Sequence, residues 1–167
     1  MFQTLDHFVK SWEYEAAATQ RVLNHLTDES LKQEITPENW NLGRTAWHTV
    51  AAIRIITSNT DLTFEATEKD WPVPTSASFI AERYQQASHA FVQAVQTQWS
   101  DDALQERIDF LGQKMPNGAL LMFLILHQSH HRGQMTVLMR QAGLTVPGIY
   151  GPAKEEWAIF GMEAPKM

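Results

Sequence analysis

Residues Ala119-Leu120-Leu121-Met122-Phe123-Leu124-Ile125-Leu126 run without interruption into His127-Gln128-Ser129-His130-His131-Arg132-Gly133-Gln134. The first eight positions are all apolar. As a helix they would be hydrophobic on every side, so the segment is expected deep in a bundle. It follows Pro116-Asn117 and reaches Ala142, with Gly143 where a C-terminal cap belongs. One line of side chains reads Leu120, Leu124, His127, His131, Gln134 or Met135, and Leu138. Imidazoles therefore interrupt a stripe that should face the core.

Three more segments carry helical periodicity. Leu5, Phe8, Trp12, Ala16, Thr19, Leu23 and Leu26 follow three-and-four spacing and predict a helix over about 4–26. A second helix is expected from Leu42 to about Thr57, with Asn41 as its N-cap. A third should begin near Ser76 or Ser78 and reach Trp99, with Phe79, Tyr84, Ala87, Phe91 and Val95 as its stripe. Residues 27–41 read as loop, and 58–75, with Pro72 and Pro74, as a long connection. Ile108–Leu111 is either a short strand or an extended link, and no segment shows sustained alternation. A short helix near Ala153–Phe160 closes the tail. The reading is an all-α four-helix bundle with a short extra C-terminal helix, one domain over 1–167.

Composition narrows the functional classes. The chain has 167 residues, 44% hydrophobic and 19% charged, which suits a folded domain rather than disorder. It has no cysteine, so disulfides, thiolate metal sites and cysteine nucleophiles are out. With 13 Lys+Arg against 19 Asp+Glu and a net charge of −6, no nucleic-acid partner is expected. The N-terminus lacks an apolar signal region and no apolar run is long enough to span a membrane, so a cytoplasmic protein with no membrane partner is expected.

His127 and His131 are four residues apart and leave the same helix face one turn apart. That is the spacing with which one helix chelates a metal ion. Two neutral imidazoles on an apolar face must find partners in one small volume. The zincin motif does not apply, because Gln128 stands where its general-base Glu would be. A di-iron carboxylate bundle needs Glu-x-x-His, which is absent. A third ligand could come from His7, His25, His48, His89 or a carboxylate. His48, among small and apolar residues of the second helix, is the best placed. His7, His25 and His89 read as solvent-facing. His130 could replace one of the three, although it reads better as a pocket residue.

Three features together resemble the DinB-like superfamily of small four-helix metalloproteins, including its YfiT type. They are His48 in the second helix, the His-x-x-His-His-Arg-Gly-Gln run at 127–134, and the closing Val146-Pro147-Gly148-Ile149-Tyr150-Gly151-Pro152 with Glu155-Glu156-Trp157. The resemblance implies an up-down-down-up bundle and one divalent metal, zinc or nickel, on His48, His127 and His131. It implies a homodimer as well. Three histidines leave a coordination position open, which is the catalytic rather than the structural pattern. Some relatives act with low-molecular-weight thiols such as bacillithiol or mycothiol. Metal-dependent hydrolysis and thiol S-transfer to a small-molecule substrate are therefore both expected chemistries. The contrasting reading is a non-catalytic stress-response or ligand-binding module.

Gln134, Trp47 and Tyr150 are candidate pocket residues beside His130. No general base stands out. Glu155 and Glu156 could reach the site mouth but read better as a solvated helix start. Arg132 points off the metal-facing stripe and should pair with a carboxylate. Gly133 implies a close helix neighbour. Because imidazoles bind metal only when neutral, affinity is expected to fall as pH drops through about 6.

Overall fold

Thr4, Asn41 and Ser76 each turn a side-chain oxygen onto the backbone of the helix that follows. They accept from the N–H groups of His7 at 3.3 Å, Arg44 at 2.8 Å and Phe79 at 3.3 Å. Each bond satisfies a donor that a helix start otherwise leaves orphaned. The computed structural model describes residues 1–166. In it these caps begin α1 (Leu5–Asn24), α2 (Leu42–Thr57) and α3 (Ala77–Gln98). A fourth helix, α4 (Asn117–Gln141), ends at Gly143, whose φ of +76° suits glycine. The tail holds a short 3-10 helix, Lys154–Phe160.

Cross-helix pairs fix the directions. Phe8 meets Phe91, Trp12 Nε1 donates to Ser88 Oγ at 3.0 Å, and Gln20 reaches the Ala81 carbonyl, so α1 and α3 are antiparallel. The Phe2 N–H reaches Gly118 O and Thr19 meets Arg132, so α1 and α4 are parallel. Gln128 donates to Thr49 O while Asn59, beyond the end of α2, reaches Asp109 ahead of α4, so these two run oppositely. The order is up-down-down-up. The helices α1 and α2 lie on opposite corners, each packed on α3 and α4. At the core, Trp12 and Phe91 meet edge to face at 5.1 Å. Gly118 is required where the N-terminus crosses α4: a Cβ there would stand 2.5 Å from Phe2 O. No helix among the described residues is long and apolar enough to cross a membrane.

One open reading is decided and three expectations are corrected. Residues 107–116 form an antiparallel hairpin, β1 (Arg107–Phe110) with β2 (Gln113–Pro116), Phe110 facing Gln113 across the turn. Leu111 and Gly112, at φ 52° and 78°, make the two-residue loop that suits the twist of such a hairpin. The apolar run opening α4 is not buried all round, since Phe123 is 37% and Leu126 60% exposed. In α3 the buried stripe runs from Ala77 to Ile80 and leaves out Phe79, which turns outward at 38% exposed. No neighbour crowds Gly133, where a Cβ would meet nothing within 4 Å.

Candidate metal centre

The three histidines converge between α2 and α4. One ring nitrogen from each of His48, His127 and His131 can be chosen so that all three lie within 4.8 Å of one another. The Nε2 atoms of His48 and His127 are 3.0 Å apart. Nitrogens bound at about 2.0–2.1 Å to one ion stand roughly 3.0–3.4 Å from each other, so this separation fits a shared ion. The donor set fits as well. His48 Nδ1 donates to Asp70 Oδ2 at 3.0 Å, and His131 Nδ1 donates to Gln134 Oε1 at 2.7 Å. Both bonds place the proton on Nδ1 and leave Nε2 with its lone pair.

Asp70 is held in turn. Arg44 grips both of its oxygens, at 2.6 and 2.8 Å. Burial alone would raise the Asp70 carboxyl, but the hydrogen bonds from Arg44 and His48 hold it below the usual carboxylate range. Trp40 closes the cluster on one side. It meets His48 edge-on at 4.9 Å, stacks over His131 at 6.1 Å and carries the Arg44 guanidinium on its face. Phe123 stacks on His127 at 5.8 Å from the other side.

Burial pushes the His127 imidazole down to about 4, and the neighbouring His131, His48 and His130 push the same way. Burial also lowers His131, with its bond to Gln134 opposing. Both rings are therefore neutral at pH 7, as metal binding requires. An unfolded His takes up a proton near pH 6.5, whereas folded His127 resists until about pH 4. Stability contributed by neutral burial is thus intact above pH 6.5 and lost as pH falls toward 4. Proton competition at His127 and His131 shifts the same way, to lower pH. Nickel titrations between pH 7.5 and 4 should show affinity falling as pH drops, with His127 giving up its neutral form only near about pH 4. An affinity unchanged at pH 4 would exclude imidazole donors.

Beside His131 lies a cleft of about 520 Å³, lined among others by Ile35, Glu38, Trp40, Gln134 and Leu138. His130 is exposed and packs its ring edge-on against His131 at 5.0 Å. His7, His25 and His89 are exposed and outside the cluster. Trp47, expected at the pocket, faces away. Its indole donates to Lys69 O at 3.1 Å and lines a different cleft between α2 and α3.

Tyr150 is likewise not brought to the histidines. Its hydroxyl joins a polar cluster between α1 and α4, donating to Glu15 Oε2 at 2.8 Å and meeting Ser129 and Arg132. Arg132, only 1% exposed, pairs with Glu15 at 2.6 Å and also donates to Glu15 O and Thr19 Oγ1. The Glu156 carboxylate accepts from the Gly148 and Ala153 N–H groups and fastens the tail turn, while Glu155 pairs with Arg140. Sequence reasoning missed Asp70, Arg44 and Trp40. The one available signal was Asp70 among aromatic and proline residues in the long connection after α2.

Comparisons with known proteins agree with this architecture. The chain is 80% identical over 167 residues, all of both sequences, to an uncharacterized protein, YrdA, of Bacillus subtilis strain 168. The structure of a DinB-like protein from Bacillus cereus ATCC 10987 superposes with a TM-score of 0.88 at 59% identity, covering 90% of this chain and all of that one. YjoA, a DinB-like protein of Bacillus subtilis, shares the fold at TM-score 0.64 and 17% identity, over 86% of this chain and 96% of its own. The DinB family matches residues 1–167 throughout. The chain belongs to the DinB family.

Proposed function

We propose that the chain is a metal-dependent enzyme that binds one zinc or nickel ion through His48, His127 and His131 and acts on a small molecule in the adjoining cleft. One observation carries the reading: three imidazoles converge beside a cleft, and among the described residues no fourth His or carboxylate joins them. A divalent ion held by these donors supplies Lewis acidity that brings the pKa of water or of a thiol toward neutrality.

The chain's own residues divide the remaining work. Asp70 and Gln134 hold two imidazoles in the tautomer that presents Nε2. Trp40 covers the cluster and offers an aromatic face to a substrate body. Glu38 is the one acidic residue lining the cleft and is the group there that would accept a proton. Hydrolysis and S-transfer from a low-molecular-weight thiol both use this arrangement. Family resemblance extends the proposal to a homodimer.

The test compares metal-free, zinc-loaded and nickel-loaded protein on p-nitrophenyl acetate, and on monobromobimane with a panel of small thiols. The loaded protein should outpace the metal-free protein on one of the two. X-ray absorption of the loaded form should show three imidazoles plus at least one exchangeable light ligand. Equal rates everywhere, with a fourth protein ligand on the ion, would leave a binding module with a structural metal.

A further inference from the structure

A cleft larger than the one beside His131 lies away from the histidines, between α2, α3 and the segment 64–72, with a volume of about 840 Å³. That is the size of a small-molecule site. Trp47, Phe64, Trp71 and Phe79 supply aromatic walls, and Arg54 and Arg83 supply charge. Trp71 is 72% exposed, an unusual position for a large apolar ring with nothing to cover it.

The arginines are incompletely used. Arg54 Nε meets Glu68 Oε1 at 3.1 Å, but its Nη1 is shut off from solvent without any hydrogen-bond partner. A buried guanidinium nitrogen in that condition lacks the acceptor its chemistry demands. Arg83 has no ion-pair partner among the described residues: it donates to the neutral Gln86 Oε1 at 3.1 Å and lies over Phe79. The lining carries Arg54, Lys69 and Arg83 against Glu65 and Glu68, and Glu68 is already engaged by Arg54. An aromatic body would stack on the walls while an anionic head took the donors of exposed Arg83, a charge-assisted bond, with the shielded Arg54 charge behind it.

We propose that this cleft is a second binding site, independent of the histidine cluster, for a small aromatic carboxylate. Its occupant differs in kind from the metal centre's substrate, because the recognition rests on two guanidinium groups and four aromatic rings rather than on a coordinated ion.

The experiment titrates the full chain with 2-naphthoate, following tryptophan emission and calorimetry, beside the neutral 2-naphthalenemethanol. Naphthoate should bind saturably at one site, about tenfold or more tighter than the alcohol. Arg83→Gln, an exposed change that leaves the core untouched, should remove most of that advantage. Ala90→Trp should fill the cleft and abolish binding of both probes. His131→Ala should bind naphthoate like the parent chain. Equal affinity for acid and alcohol, full binding in Ala90→Trp, or loss in His131→Ala with retention in Arg83→Gln would overturn the proposal.

Discussion

His131→Ala, purified without a nickel column, is expected to carry no zinc or nickel, where the parent chain carries about one equivalent. The expectation rests on donor geometry. His131 is buried against Trp40, and its Nδ1 is committed to Gln134, so alanine removes a ligand that no neighbour can replace. His130 stands next in sequence but is exposed. Two imidazoles, His48 and His127, would remain, and a pair without a third donor holds a divalent ion far more weakly. Asp70→Asn is the graded companion. It keeps the size of the group that fixes His48 but loses the carboxylate, and should weaken binding by roughly 10–100-fold. Elemental analysis measures the first and competition with a chelating dye the second. If both variants carry and bind the ion like the parent chain, the cluster is not a metal centre.

Glu15→Ala should be the most destabilising single change outside the hydrophobic core. Arg132 is 1% exposed and its carboxylate partner is Glu15. Removing that partner leaves a buried guanidinium charge uncompensated, which costs roughly 3–5 kcal/mol. For a chain of this size the melting temperature should fall by roughly 6–20 °C. Glu15→Gln, which keeps an acceptor, should lose less. Melting metal-free protein keeps ion binding out of the comparison. A fall under about 2 °C for Glu15→Ala would mean that Thr19, Tyr150 and water satisfy Arg132 without Glu15.

Both experiments probe α4, and that helix shows what a sequence discloses. His127 and His131 share a face by spacing alone, and Arg132 must then point elsewhere, as it does. The limits of α2 are legible because Asn41 is a strong cap and the apolar period is regular. Asp70 and Trp40 are not legible in this way. They sit in connections without periodicity, and their places depend on how those connections drape over finished helices. The hairpin is obscure for a related reason: its strands are four residues each and half exposed, so no alternation develops. Tyr150 misleads because a conspicuous tail motif suggests a lid, whereas its hydroxyl serves the Glu15–Arg132 pair on the opposite side of α4 from the histidines.

The carboxylate that fixes His48 belongs to the connection between Thr57 and Ala77, which has no helix or strand of its own. Segments of that kind open locally at a fraction of the free energy of global unfolding. Lifting this one would free His48 to turn while every helix stays wound. The residence time of a bound ion is then a property of a loop, not of the bundle. Two relatives with identical histidines and identical melting temperatures could exchange their ion in milliseconds or in hours, according to how firmly Arg44 and Trp47 pin the segment down.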